Sequence, residues 1–136
     1  MWSLPQQWDN YKQFLTTIRD GEDSEGQPLT MVRYAVFLEM YARLDMEYRR
    51  EAGKDKLMQM MKEIANNREG FLDRERCLKC VDSGMRKEVL ERIKNVKNGN
   101  DEPGPKVFTL MYPKVVDRLG EILGNYHNMI IRQNRQ

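Results

Sequence analysis

An all-α domain is the fold this chain predicts, and three observations carry the prediction. The first is the stretch of about 29–50, inside PLTMVRYAVFLEMYARLDMEYRR. There Tyr34, Phe37, Leu38, Tyr41, Leu44 and Tyr48 recur at steps of three and four, which places them on one side of a helix. Ala35, Val36, Met40 and Ala42 widen that apolar surface, so this helix is expected to be covered by several others. The second is that no stretch sustains period-two alternation. The third is that further helical-period stretches are joined by short segments rich in Gly, Asn and Pro. These point to a single-domain bundle of six to seven helices around a central apolar helix, and 136 residues suffice to bury its core.

Trp8, Tyr11, Phe14 or Leu15, and Ile18 predict a first helix over Trp8–Arg19, stopped by Asp20-Gly21 with the glycine as a positive-φ cap. Glu22–Gln27 reads as an acidic loop. Pro28 and Thr30 suit the start of the central helix, which breaks near Gly53. Leu57, Met60, Met61 and Ile64 define a third helix over Lys54–Asn67. Phe71-Leu72 read as anchors of the next turn. Asp73 is expected to cap a short helix running to Val81, and Ser83 to cap the helix Met85–Val96. Lys97–Pro105 (KNGNDEPGP) is the strongest loop signal, either a mobile surface loop or an interaction site. Val107–Met111 and Val115–Arg132 complete the bundle, and Pro113 either opens the last helix or kinks a longer one. One domain is expected over 1–136, with 1–7 and 133–136 as frayed termini.

Charged residues make up 32% of the chain and the net charge is +2, which does not by itself require nucleic acid. Apolar runs fall short of a membrane span. MWSLPQQWDNYK has no basic region leading into an apolar run, so no signal peptide is expected. Two cysteines without an export signal point to a reducing, cytoplasmic location.

Four features bear on chemistry. Cys77-Leu78-Lys79-Cys80 has the spacing of half a zinc site or a redox pair, but the chain has no other cysteine, and His127 is its sole histidine. Two small half-buried residues are the simpler reading. His127 has no local nucleophile as partner, which favours a surface or capping role. Carboxylates alternate with bases, as in Asp73-Arg74-Glu75-Arg76, the pattern of a solvated helix face. Gly99 and Gly104 lie outside any phosphate-loop pattern. No catalytic residue, cofactor or metal site is expected, and the chain is not expected to be an enzyme. Bases outnumber acids over Arg68–Lys97, and a basic patch forms if Arg86, Lys87, Lys94 and Lys97 converge.

The order of these elements resembles the regulator of G-protein signalling (RGS) homology domain. Trp8, Phe14-Leu15, Asp20-Gly21 and Tyr34-Ala-Val-Phe37-Leu38-Glu39 are similar to the family's opening: a Trp, a Leu-rich helix, a Gly turn and a Phe-x-x-Phe-Leu segment. Gly70-Phe71-Leu72-Asp73 and Met85–Ile93 resemble the region of its middle helices, most like the versions in Rho exchange factors and axin-like scaffolds. Val107–Pro113 resembles the segment that closes the fold. The family's Ser-Glu-Glu-Asn followed by Phe-Trp is absent. The resemblance implies a helical bundle whose loops bind a G-protein α subunit, whereas loss of the Asn-bearing loop argues against GTPase acceleration.

A non-catalytic protein-interaction module is therefore the leading functional expectation. Its partner is a protein, with a G-protein α subunit as the candidate the resemblance names. Loops on a rigid bundle commonly carry recognition, which singles out Glu22, Asp23, Glu25, Asn98, Asn100 and Asp101, with Arg86 and Lys87 on the adjoining helix. One alternative is a small nucleic-acid-binding protein, conceived as a short polypeptide starting at Met1, that uses a basic face around 68–97. Another is self-assembly through a Met-rich face, expected only if Met40, Met58, Met60 or Met61 is exposed.

Overall fold

The computed structural model describes residues 3–134 and is predominantly helical. Within them lie five α-helices, a 3₁₀ turn and one two-stranded sheet: α1 (Leu4–Leu15), β1 (Arg19–Glu22), β2 (Pro28–Thr30), α2 (Val32–Arg49), α3 (Lys54–Ala65), α4 (Ser83–Lys97), the 3₁₀ turn Pro105–Phe108, and α5 (Tyr112–Asn134).

Helix α1 starts four residues before the predicted Trp8 because Ser3 caps it. The Ser3 hydroxyl accepts the Gln6 N–H at 3.3 Å, and Gln6 Oε1 accepts the Ser3 N–H at 3.0 Å. Residues 4–7, expected to fray, are therefore helical. Residues 1–2 and 135–136 of the expected frayed ends lie outside the described residues. The helix stops at Leu15, not Arg19, where the Thr16 and Thr17 hydroxyls turn back onto the Gln13 and Phe14 carbonyls.

The chain is all-α in its main architecture, as expected, with a short β-hairpin after α1 where the sequence suggested a cap and a loop. Arg19–Glu22 and Pro28–Thr30 pair antiparallel, Arg19 opposite Thr30 and Glu22 opposite Pro28. One residue more on β1 than on β2 makes a bulge, and Gly21, at φ 88°, takes the positive φ there rather than capping α1. Pro28 and Thr30 belong to this hairpin, and α2 begins only after Met31.

Helix α2 is central, enclosed most fully over its first half, with Leu44 the buried contact of its second half. Tyr34, Ala35 and Phe37 are buried, whereas Ala42, Arg43, Met46 and Tyr48 are exposed. Phe37 sits edge-on to Phe71 at 5.6 Å and to Phe108 at 6.2 Å, which joins three segments at one ring. Met111, Val115 and Leu119 complete this core, and the Tyr11 hydroxyl ties α1 to α5 by donating to the Leu119 carbonyl at 2.7 Å. Phe71 and Leu72 are buried anchors.

The predicted helix from Asp73 to Val81 does not form. Asp73 Oδ1 instead accepts the N–H groups of Glu75 and Arg76, which folds a turn. Arg33, only 3% exposed, donates to the Glu69 and Arg76 carbonyls, and Arg86 Nε donates to the Leu72 carbonyl at 2.8 Å. With the turn at Asp73 and these arginine contacts, 66–82 is an irregular strap against α2. Asp82, not Ser83, caps α4, accepting the Met85 N–H at 2.8 Å. Pro113 lies in the first turn of α5, so of its two readings the opening of the last helix holds. Among the described residues no helix is long and apolar enough to cross a membrane.

Candidate functional site

The loop residues singled out by sequence fall at opposite ends of α2. The hairpin is tethered to its first turn, where the Tyr34 hydroxyl donates to buried Asp20 at 2.8 Å and accepts the Lys79 N–H at 3.0 Å. The 98–105 loop meets its last turn, where the Tyr48 ring lies against Gly104. Tyr34 and Tyr48 are about 21 Å apart along the helix axis at 1.5 Å per residue. The two loops therefore do not form one surface.

Several of these residues serve the fold locally. Asp23 Oδ1 accepts the N–H groups of Glu25 and Gln27, both at 2.9 Å, and so shapes the hairpin turn. Glu22 pairs with Arg19 at 3.4 Å, and Glu25 is exposed. Asn98 closes α4 through its N–H to the Lys94 carbonyl, and the Asn100 N–H reaches the Asn95 carbonyl at 2.8 Å. Asp101 Oδ1 accepts the Glu102 N–H at 2.8 Å. Arg86 is half-buried on the Leu72 carbonyl. Lys87, Leu90, Lys94 and Lys97 lie exposed on one side of α4 by their helical spacing.

At the far end of α2 the loop closes one wall of a cleft of about 490 Å³. Tyr48, Arg49, Glu51 and Ala52 supply the α2 side, Lys54 and Leu57 the α3 side, and Glu102 and Pro103 the loop side. The α2 end is a Schellman turn: the Ala52 N–H reaches the Glu47 carbonyl at 3.0 Å and the Glu51 N–H the Tyr48 carbonyl at 3.1 Å. The turn demands a left-handed residue, and Glu51 adopts φ 59° where glycine is usual. Gly53, which the sequence suggests as the break, has φ −64° and simply precedes α3. Lys56 bridges to Glu47 at 3.0 Å and holds α3 against this turn.

The loop wall is packed, not loose. Pro103, Gly104 and Pro105 are buried. A Cβ at Gly104 would stand 3.0 Å from the Tyr48 ring, so glycine here allows close approach to the aromatic face. Tyr48 remains 47% exposed on its other side. The cleft thus presents a fixed aromatic ring with Arg49 and Lys54 as cations and Glu51 and Glu102 as anions. That mixture suits a polypeptide segment: aromatic and arginine side chains are the usual anchors of protein interfaces. Sequence periodicity finds the loop but misses Tyr48 as its support, because it assigns that ring to the core. The signal is Gly104 between two prolines, a glycine that needs no turn and so marks a close contact.

The residues with chemical potential lie elsewhere. Cys77 and Cys80 are free and half-buried, and burial pushes both thiols up, Cys80 to about 11. At neutral pH they are protonated and poorly nucleophilic. His127 is exposed on α5, its ring 6.1 Å from that of Tyr126. Among the described residues no cluster of three or more His, Cys, Asp or Glu is placed to hold a metal ion. Met61 is buried, and Met40, Met58 and Met60 are half-buried against the core, so the condition for a Met-rich assembly face is not met. Comparison of the chain with protein-family models, with characterised proteins and with solved structures gives no match.

Proposed function

We propose that this chain is a non-catalytic protein-interaction module, an RGS-like helical scaffold of the cytoplasm that grips a segment of a signalling protein in the cleft at the end of α2. The observation that carries the reading is the cleft itself, a preformed concavity whose wall is a loop buttressed by Tyr48. The strained Glu51 at its rim supports it, because disfavoured backbone conformations concentrate where a surface is shaped for use. The resemblance in sequence names a G-protein α subunit as the partner to try. The family's Asn-bearing loop is missing, so binding without GTPase acceleration is the expected behaviour.

The test is capture of purified α subunits held in GDP, GTP-analogue and transition-state-analogue forms. Binding that does not favour the transition-state form supports the scaffold reading. Selective capture of that form would replace it with a GTPase-activating role, and capture of none would remove α subunits as partners.

The α4 stripe favours a second reading. Lys87, Lys94 and Lys97 share one exposed side with Leu90, a surface suited to phosphate backbones. Against it, Arg76, Arg86 and Arg92 of the same basic segment are engaged with backbone carbonyls. Nucleic-acid binding through this stripe would weaken steeply with added salt and be lost on Lys94→Glu with Lys97→Glu, whereas cleft docking would survive that pair of changes.

A further inference from the structure

The strap 66–82 carries both thiols of the chain at the point where it meets the hairpin. Cys77 and Cys80 each stand directly before a buried anchor, Leu78 and Val81, and are themselves half-buried, not enclosed. The Val81 N–H reaches the Leu78 carbonyl at 2.9 Å, which closes a turn with Cys80 inside it. The Cys77 sulfur lies back over that turn, 4.0 Å from the Val81 carbonyl oxygen, one residue beyond Cys80. A disulfide needs Cα atoms within about 7 Å of each other. Three residues of extended chain span about 10 Å, and a turn shortens this towards the bonding range. Burial is the main cause of the raised Cys80 thiol and Cys77 adds to it, so each sulfur lies within the field of the other.

Lys79, between the two cysteines, joins three elements. Its N–H is donated to the Tyr34 hydroxyl of α2 at 3.0 Å, and that hydroxyl donates to buried Asp20 of β1 at 2.8 Å. Its side chain crosses the hairpin, where a Cβ at Gly21 would collide with Lys79 Nζ. Bonding Cys77 to Cys80 closes a ring of chain that contains Leu78 and Lys79. Leu78 is fully buried, so the Leu78–Lys79 peptide is the part that rotates as the Cys77 sulfur leaves the Val81 carbonyl for Cys80. That peptide carries the N–H on which the Tyr34–Asp20 contact rests.

We propose that Cys77 and Cys80 are a reversible dithiol–disulfide site whose oxidation loosens the β-hairpin. The oxidant is a small-molecule disulfide of the glutathione type. The Cys77 thiolate attacks one sulfur of the oxidant and expels the other as a thiolate, leaving a mixed disulfide. The Cys80 thiolate then attacks the Cys77 sulfur and expels the second small thiolate. The two cysteine thiols give up two electrons and two protons, and the oxidant leaves as two thiols. Cys77 is the entry point because the Arg86 and Arg33 guanidiniums oppose the effect of burial there, whereas Cys80 is pushed up to about 11. Protonated thiols make the exchange slow, but its equilibrium depends on the stability of the two states. Neither thiolate is stabilised in the reduced chain, so the dithiol gains nothing from ionisation.

The test equilibrates the whole chain for hours in mixtures of reduced and oxidised glutathione, then quenches in acid and alkylates. Mass spectrometry counts dithiol, mixed disulfide and internal disulfide. A monomeric chain lighter by two hydrogens is expected, restored by reductant. Amide exchange across 19–30 should be at least three-fold faster in that form, with α3 unchanged. Coupling is reciprocal, so Tyr34→Phe, which removes the hydroxyl that holds Lys79, should raise the equilibrium constant for disulfide formation at least three-fold. Cys77→Ser and Cys80→Ser should show neither the internal disulfide nor the faster hairpin exchange. Wild-type chains that stay as dithiol, stop at the mixed disulfide or cross-link between molecules overturn the proposal. So does an internal disulfide that leaves hairpin exchange unchanged.

Discussion

Glu51 sits in a left-handed turn that glycine would occupy without strain. Replacing it with glycine should stabilise the fold by about 1 kcal/mol in a denaturant titration, the usual magnitude of the left-handed penalty for an L-residue. The same change should weaken docking if the carboxylate contributes to the cleft. Tyr11 and Tyr34 make the complementary case for burial. Burial raises the Tyr11 phenol to about 12, and burial with the Asp20 hydrogen bond raises Tyr34 well above its usual value. Both shifts raise the folded pKa above the unfolded value of 10.0. The neutral phenols therefore contribute stability that is complete below pH 10 and is lost as pH rises towards the folded pKa. Melting temperature should be level with respect to these groups up to about pH 10 and fall above it, with both phenols ionising at higher pH in the folded chain than in the unfolded one. Residue-level chemistry of this kind is partly legible in the sequence. Helical spacing locates Tyr34 and Phe37 in the core, but nothing in MVRYAVF distinguishes Arg33 as the buried donor to two distant carbonyls.

Among the elements, helices α3, α4 and α5 are readable to within a few residues, because an apolar stripe of twelve or more residues overrides local ambiguity. The hairpin is not readable. Its strands of four and three residues are too short to show alternation, and tertiary contacts hold them: Asp20 bonds Tyr34, and the Lys79 side chain lies over Gly21. The strap 66–82 imitates a helix in sequence for a related reason. Asp73 is an equally good cap for a helix or for an Asx turn, and the choice is made by Arg33 and Arg86 from elsewhere in the chain. At this scale the Tyr48 contact has a direct consequence. Tyr48→Ala removes the ring on which Gly104 rests, so amide exchange over 98–104 should accelerate while that of the 66–82 strap stays unchanged. Equal acceleration in both segments would mean that Tyr48 supports the whole bundle instead of one loop.

For the molecule as a whole, the sequence conveys a helical bundle and two polar loops but not their separation. Sequence spacing cannot say that the hairpin and the 98–105 loop sit at opposite ends of one helix, because that depends on how α1 and α4 lie across α2. The separation turns a single diffuse contact surface into two alternatives that can be tested against each other. Protein capture from cell extract by wild-type chain, by a cleft variant (Tyr48→Ala with Glu102→Lys) and by a hairpin variant (Glu22→Lys with Glu25→Lys) tests most directly whether the cleft carries binding. If it does, proteins enriched by the wild type are lost by at least ten-fold with the cleft variant and kept with the hairpin variant, both variants melting as the wild type does. Retention by the cleft variant, with or without loss by the hairpin variant, would contradict a docking role for the cleft.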